Sequence, residues 1–268
     1  MYSVTIGIAT YNRKSTLEKM AKSLYLSDLS SARVHIRIYD DCSAEFGKDY
    51  LESLFPNANI HINAVNLKAD LNTFSMYQDF LKSDDQYFFN ADSDLIFRKD
   101  WLSFCLDHIE ETQGVMSIFN TPNHHAIGEA SNPAFVLKKD IGAAGTFFKR
   151  ERIEQIVSSL SNSEKKRVDW AFSEFFIKND IQICCSKDSY VQHIGLIGHN
   201  SSMAFIDYGQ NFKVDSVENG QILNDVFNVF LCDVTSNVQK ALKNSHFYKV
   251  GYIVLYPLVL LRRLFFRK

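Results

Sequence analysis

The chain has 268 residues, of which 46% are apolar and 22% are charged, and its formal net charge is −2. A chain of this length and apolar content can bury one sizeable core, so we expect one catalytic domain of the α/β class with a short appendage. The charge balance lacks the strongly basic footprint of nucleic-acid-binding proteins, and we expect no nucleic-acid partner.

Charge is unevenly distributed along the chain. Residues 234–268 hold seven basic residues and no acidic residue, so this tail carries +7 and the remainder −9. A basic tail on an acidic body indicates an anionic surface as the partner of the tail.

The cysteines and the first residues favour a cytoplasmic protein. The five cysteines are odd in number, and Cys184 and Cys185 are adjacent in an apolar run, which is a poor layout for a disulfide framework. The apolar run at residues 4–9 follows Met1 without a basic segment or a small-residue cleavage site, so it predicts a core strand and no secretory signal.

Strand and helix patterns alternate through the first hundred residues. Short β-branched or aromatic runs predict strands, and amphipathic spacing predicts helices. In chain order the elements are a strand at 4–9, a helix at 15–26, a strand at 34–39, a helix at 50–55, a strand at 61–65, a helix at 73–82 and a strand at 86–90. This alternation predicts a parallel sheet flanked by helices, with ligands outside the carboxyl ends of the strands.

The second half has a less regular pattern. We expect a helix at 101–114, a strand at 115–119, an irregular segment at 120–145, and helices at 150–160 and 169–178.

Asp92 and Asp94 follow the fourth predicted strand. Carboxylates two residues apart project to the same side of an extended segment, so both can face one divalent cation. Such a cation would bridge the phosphates of a nucleotide. The alternative interpretation is a solvated acidic turn.

Asp40 and Asp41 end the second predicted strand in the same way. A carboxylate at this position can accept hydrogen bonds from the hydroxyls or imide of a nucleoside. The alternative is turn formation or helix capping.

Together these motifs resemble the GT-A glycosyltransferases of family 2. The resemblance rests on Thr10-Tyr11-Asn12-Arg13, Asp40-Asp41-Cys42-Ser43 and Asp92-Ser93-Asp94, in this order after successive strands. It implies a GT-A fold, which is Rossmann-like with a mostly parallel sheet. It also implies that Ala9, Thr10, Asn12 and Asp41 line the nucleoside, that Lys68 contacts the diphosphate, that Asp92 lies near the ribose or a metal-bound water, and that Asp94 binds the metal.

Residues 142–205 resemble the acceptor half of that family more loosely. The resemblance implies that Gly145, in a Gly-rich loop, and Trp170 contact the acceptor and that Asp169 is the general base, with Glu174 in reserve. An ordinary turn at the glycines and a helix N-cap at Asp169 are the alternatives.

A late histidine completes the metal site in many such enzymes. His193 is the first candidate here and His199 the second, although a histidine in an apolar strand can simply be part of the core.

The implied function is metal-dependent, inverting transfer of a hexosyl or N-acetylhexosaminyl group. The cofactor would be Mn²⁺ or Mg²⁺, the donor a nucleotide sugar, by resemblance a UDP-sugar, and the acceptor a glycan or lipid-linked molecule of polysaccharide or lipopolysaccharide biosynthesis. A nucleotidyltransferase and a non-catalytic sugar-nucleotide- or glycan-binding protein are the alternatives. We expect a catalytic domain at 1–233, with a nucleotide-binding half at 1–100 and an acceptor half at 101–233, and a tail at 234–268.

The tail contains an uncharged apolar stretch of 12 residues, 250–261. As a helix it would be roughly 18 Å long, which is too short to span a bilayer core of ~30 Å. Basic and aromatic residues flank the stretch, which favours peripheral contact through residues 247–268 with the inner face of the cell membrane. The alternative is a helix packed on the core or in a dimer interface.

Overall fold

The computed structural model describes residues 1–195 and 207–245. The chain divides into two compact units, Met1–Ile222 and Leu223–Lys268. The first unit contains all the strands named below and every predicted site residue that the structure describes. Among the described helices, none is long and apolar enough to cross a bilayer.

The element order is alternating at first and strand-rich later. The strands are β1 Tyr2–Thr10, β2 Ala32–Asp40, β3 Asn59–Ile62, β4 Tyr87–Asp92, β5 Leu95–Phe97, β6 Val115–Ser117, β7 Ala126–Glu129, β8 Phe135–Lys138, β9 Thr146–Lys149, β10 Ile183–Ser186 and β11 Val191–His193. The α-helices are α1 Lys14–Leu26, α2 Lys48–Leu54, α3 Lys68–Phe80, α4 Trp101–His108, α5 Arg150–Ser159, α6 Val168–Lys178 and α7 Val217–Asn244.

Nine strands form one sheet in the order β3-β2-β1-β4-β9-β6-β10-β8-β7, and β11 pairs with β5 in a separate ribbon. The first four strands of this order are parallel. Strand β9 then lies between β4 and β6 and is antiparallel to both. Strand β10 is parallel to β6, β8 is antiparallel to β10, and β7 is antiparallel to β8. The predicted α/β sheet flanked by helices is thus confirmed, and its second half is mixed.

Both faces of the central strands are buried. In β4, Phe88 packs with Tyr77 on one face of the sheet, whereas Phe89 packs with Trp101 on the other. A strand covered on both sides has a continuous rather than an alternating apolar run, as β4 does. Gly7 in β1 makes room for this packing, because a Cβ there would lie 2.4 Å from the Phe88 ring.

Several predicted boundaries were wrong. The segment 120–145 is not irregular throughout, since β7 and β8 lie in it, and β9 stands between the Gly-rich loop and α5. These strands are only four residues long, and β8 and β9 pair with strands that are distant in sequence, so local periodicity does not reveal them. Helix α3 begins five residues before its predicted start, and α4 ends at His108.

Candidate active site

The loops after β1 and β2 are bound to each other. Asn12 and Arg13 both have left-handed backbone, with φ of 51° and 61°. Asn12 accepts hydrogen bonds at Oδ1 from the backbone N–H groups of Ala44 and Glu45, at 2.8 and 3.2 Å, and its own N–H donates to Ser43 Oγ at 2.7 Å. The two loops that were predicted to embrace a nucleoside therefore form one structure at the carboxyl ends of adjacent strands.

Asp41 fixes the loop before α3. Its buried carboxylate accepts hydrogen bonds from Asn63 Nδ2 at 3.0 Å, from the N–H of Leu67 at 2.7 Å and from the N–H of Lys68 at 2.9 Å. These contacts hold Lys68 in left-handed backbone, with its side chain exposed. Asp41 thus has a structural role at the start of α3, in line with the capping alternative, and its predicted contact with a nucleoside stays a prediction.

The two other predicted nucleoside contacts lie at the end of β1. Ala9 is half-buried and Thr10 is buried, and Thr10 Oγ1 has no hydrogen-bond partner among the described residues. A buried hydroxyl of this kind is suited to a bound ligand, because an unpaired buried polar group is costly.

Asp94 lies between two cationic partners. Arg13 Nη1 donates a hydrogen bond to Asp94 Oδ2 at 2.8 Å, and His193 Nε2 lies 3.1 Å from Asp94 Oδ1. The ribbon explains this arrangement, because β11 pairs His193 with Leu95, and the N–H of Ile194 donates to the carbonyl oxygen of Asp94 at 2.8 Å. The structure therefore brings together two of the predicted metal ligands, from distant parts of the sequence.

The three charged groups differ in their electrostatics. Burial and the neighbouring charge of Asp94 raise the pKa of the Asp92 carboxyl. Burial also acts to raise the pKa of Asp94, but the charges of His193 and Arg13 outweigh it and the pKa is lowered. Burial acts to lower the pKa of His193, but the carboxylate of Asp94 outweighs it and the pKa is raised.

Within residues 1–195 and 207–245, no three His, Cys, Asp or Glu side chains are grouped so that they could hold a metal ion by themselves. Asp94 and His193 nevertheless fit a metal that a second molecule helps to coordinate. They present a buried carboxylate and an imidazole side by side, and the His193 Nδ1 atom has no hydrogen-bond partner in the described part of the chain. Carboxylate oxygen suits Mg²⁺ and Mn²⁺. His199 lies outside the described residues.

Asp169 is the second residue of α6 and is half-buried. Burial raises the pKa of its carboxyl, although the N–H of Trp170 donates to its Oδ1 at 2.9 Å. The negative charge of Asp169 also raises the pKa of Asp92, so the two carboxyls interact electrostatically. The reserve candidate, Glu174, is exposed and forms a two-pronged ion pair with Arg167, with both distances 2.9 Å. Asp169 is thus the better placed of the two to act as a base near Asp92.

The two predicted acceptor contacts differ in their surroundings. Trp170 is 53% exposed, which is unusual for the largest side chain. Gly145 has a φ of 73°, and a Cβ there would lie 2.8 Å from Phe119 Cβ. The missing Cβ of Gly145 is therefore required by its backbone and by packing within the protein, which the sequence-based rationale did not foresee. Acceptor contact at both positions stays a prediction.

Sequence reasoning missed two features of the site. Arg13 belongs to the first motif, but its ion pair with Asp94 depends on the left-handed backbone of the loop, which the motif does not reveal. His124, in the loop between β6 and β7, is paired through Nδ1 with Asp140. No local pattern marks either residue of this second pair.

Part of the chain matches the model of a sequence family, and the fold resembles that of solved structures. Residues 5–134 match the model of Glycosyl transferase family 2. The first 349 residues of S. aureus TarS in complex with UDP-GlcNAc superpose with a TM-score of 0.52 at 16% identity, covering 71% of this chain and 58% of that one. A longer S. aureus TarS structure gives 0.51 at 14% identity, covering 71% and 36%. These likenesses show the GT-A fold that the sequence motifs implied.

The Pyrobaculum calidifontis mannosyltransferase PcManGT, in complex with GDP-Man and Mn²⁺, is similar with a TM-score of 0.49 at 13% identity, covering 70% of this chain and 58% of that one. No curated protein matches the chain by sequence. The chain spans less than two thirds of the length of each of these structures.

Proposed function

Because residues 5–134 of this chain match the model of Glycosyl transferase family 2, we propose that it transfers a sugar from a nucleotide sugar to a hydroxyl group of an acceptor. The observation that carries this proposal is the placement of three carboxyl groups. Asp92 ends β4 and Asp94 lies two residues later, and Asp169 at the start of α6 interacts electrostatically with Asp92.

On the donor side, the joined loops after β1 and β2 would hold the nucleoside. Thr10 and Asn12 belong to the first loop, and Asp41 orders the segment from which Lys68 would contact the diphosphate. The proposed donor is a UDP-sugar. The resemblance of the motifs to family 2 supports it, and the similar fold of TarS, which was determined with UDP-GlcNAc, is consistent with it.

Asp94, with His193 beside it and Asp92 two residues away, would hold the metal together with oxygen atoms of the donor. Bound Mn²⁺ or Mg²⁺ would neutralise the charge that develops on the departing diphosphate. Arg13 keeps the Asp94 carboxylate ionised and oriented, since it donates to Oδ2 and leaves Oδ1 toward His193.

On the acceptor side, Asp169 would take the proton from the attacking hydroxyl. A half-buried carboxyl with a raised pKa is a better proton acceptor than an exposed aspartate. A base on the face of the sugar opposite the leaving diphosphate gives direct displacement, so the anomeric configuration would be inverted.

A donor screen tests the proposed function. The full chain is incubated with common UDP- and GDP-sugars, Mn²⁺ or Mg²⁺ and candidate glycoside acceptors, and nucleoside diphosphate release is measured. We expect release that depends on the metal. Release of pyrophosphate from a nucleoside triphosphate would instead identify a nucleotidyltransferase. Saturable donor binding without any turnover would identify a binding protein and overturn the proposal.

Gly195 provides a test of the geometry around Asp94. A Cβ at Gly195 would lie 2.3 Å from Asp94 Oδ2 and 2.5 Å from Arg13 Nη2, so Gly195→Ala must displace the carboxylate. A displacement of about 1 Å at a reacting centre can cost about 100-fold in rate, and we expect a loss of this order in kcat. Gly128→Ala is the matched control, because a Cβ there meets nothing within 4 Å. Equal activity of the two variants would contradict the role of the Asp94 position.

We further propose that residues 247–268 bring the enzyme to the inner face of the cell membrane, where a lipid-linked acceptor would be found. The support is the uncharged stretch 250–261 with basic residues on both sides, a combination that binds anionic interfaces. These residues lie outside the part of the chain that the structure describes.

Deleting residues 247–268 tests this proposal. We expect the full chain to pellet with phosphatidylserine-containing vesicles at low salt, and the shortened chain to stay in the supernatant while it releases nucleoside diphosphate normally. Vesicles of phosphatidylcholine alone are the control. The proposal fails if the full-length protein does not pellet with anionic vesicles or if the shortened chain no longer folds. Either result would mean that the tail is part of the protein core.

A further inference from the structure

The pair formed by His124 and Asp140 lies on the acceptor side of the site and has no part in the mechanism above. The Asp140 carboxylate is hydrogen-bonded to His124 Nδ1, and both side chains are about four-fifths buried, with relative exposures of 22% and 20%. A carboxylate on Nδ1 fixes the orientation of an imidazole and leaves Nε2 as its second polar atom.

The Nε2 atom of His124 faces the acceptor loop. Among the described residues outside the loop's own neighbours, this atom, at 3.8 Å, is the only one within 4 Å of a Cβ built on Gly142, so the space between loop and imidazole is otherwise open in that part of the structure. The imidazole centroid lies 6.4 Å from the ring of Trp170, which directly follows Asp169 in α6. His124 therefore lies near an exposed aromatic side chain at the start of the helix that carries the proposed base.

The loop that carries His124 is firmly attached to the domain. Lys138 is buried, and its Nζ donates to the carbonyl oxygen of Thr121 at 2.9 Å. Thr121 Oγ1 donates to the Asp207 carboxylate, and Asn123 Nδ2 donates to the same group at 3.2 Å. Thr121, Asn123 and His124 each have a specific hydrogen-bond partner. The fold therefore fixes the position of the imidazole.

We propose that His124 is an acceptor-binding residue and that the acceptor presents a pyranose ring. The ring would lie against the exposed face of Trp170, and one of its hydroxyls, other than the one attacked, would donate a hydrogen bond to His124 Nε2. This inference rests on the proposed function, since it concerns the acceptor of the same site. It fits the chemistry of a sugar, which has apolar C–H faces for an aromatic ring and hydroxyls for polar groups at its rim.

Binding is tested first, without turnover. The full chain with 13C-labelled histidine is saturated with UDP and Mg²⁺ and titrated with methyl β-glucopyranoside, methyl β-galactopyranoside and the methyl glycoside of N-acetylglucosamine. The signal of His124 is assigned from the spectrum of His124→Phe. We expect a saturable shift of this signal with at least one glycoside, and loss of the shift in Trp170→Ala.

Two outcomes of the titration would overturn the proposal. One is that none of the glycosides shifts the His124 signal saturably. The other is that sn-glycerol 3-phosphate shifts it and the glycosides do not, which would mean that the position recognises a phosphorylated polyol. Either result leaves the donor screen unaffected, so failure of this inference and failure of the proposed function are distinguishable.

Kinetics give a second measurement with the glycoside that binds. Loss of one neutral hydrogen bond corresponds to about tenfold in affinity, so His124→Phe should raise the acceptor KM about tenfold. His125→Phe is the matched control, because His125 is the next residue of the same loop and is exposed. An unchanged acceptor KM in His124→Phe, or the same change in His125→Phe, contradicts the proposal.

Discussion

Replacing Asp94 by alanine is expected to abolish sugar transfer while the domain stays folded. Asp94 is the carboxylate that Arg13 and His193 both contact, at 2.8 and 3.1 Å, and it would bind the metal directly. Loss of a residue that only orients a metal ligand costs about 10–100-fold, so loss of the ligand itself should exceed about 100-fold in kcat/KM. Nucleoside diphosphate release with a saturating metal measures the effect.

Two further variants make the Asp94 result specific. Asp94→Asn keeps the shape of the side chain and removes its charge, so it should lose activity to a similar extent without leaving a cavity. Asp84→Ala removes an exposed aspartate away from these contacts and should behave as wild type. Thermal unfolding of all three checks that the fold persists. Full activity of the wild type in excess chelator would refute the requirement for a metal, whatever the variants show.

Asp169→Asn should produce the second large effect, a loss of about 100-fold to 10,000-fold in the rate of transfer. The amide cannot take a proton from the acceptor hydroxyl, but it keeps the size of the side chain, so the dissociation constant of the UDP-sugar should stay nearly constant. Glu174→Gln is the control, since Glu174 is exposed and paired with Arg167. If Glu174→Gln lost the transfer rate and Asp169→Asn retained it, Glu174 and not Asp169 would be the base.

The same residue predicts the direction of the pH dependence. The base acts only as the ionised carboxylate, so the wild-type rate should fall as the pH drops through the pKa of Asp169. Burial raises this pKa above that of an ordinary aspartate, about 3.9, and the acid limb of kcat/KM should therefore lie at higher pH than 3.9. In Asp169→Asn the residual rate should lack this limb. A limb that persists unchanged in the variant would belong to another group.

The parallel half of the sheet could be predicted from the sequence because each of its elements carries its own local pattern. Strands β1, β2 and β4 are nine, nine and six residues long, are rich in β-branched or aromatic residues and have polar motifs at their ends, and α1 has a clear amphipathic spacing. The later strands have three or four residues, and β7 is exposed along its whole length. Strands β8, β9 and β10 are positioned by pairing with distant partners, which no short window of sequence contains.

The candidate site was predictable to the extent that its residues stand at strand ends. Asp92 and Asp94 follow a buried strand, and that context led to their interpretation as ligands. Asp41 shows the limit of such reasoning, because its carboxylate is used by three donors of the protein itself. His124 was missed for the opposite reason. It is an isolated histidine in a loop, and only its pairing with Asp140, sixteen residues later in the chain, marks it as a candidate site residue.

The ribbon of β5 and β11 has a consequence for the synthesis of the protein. It joins two segments about 100 residues apart, so the nucleotide-side strands can be complete on the ribosome while the partner of Asp94 is still unmade. Chains arrested before β11 should therefore have a folded parallel half but no catalytic competence. The growing polypeptide would remain inert toward its donor until His193 had been translated.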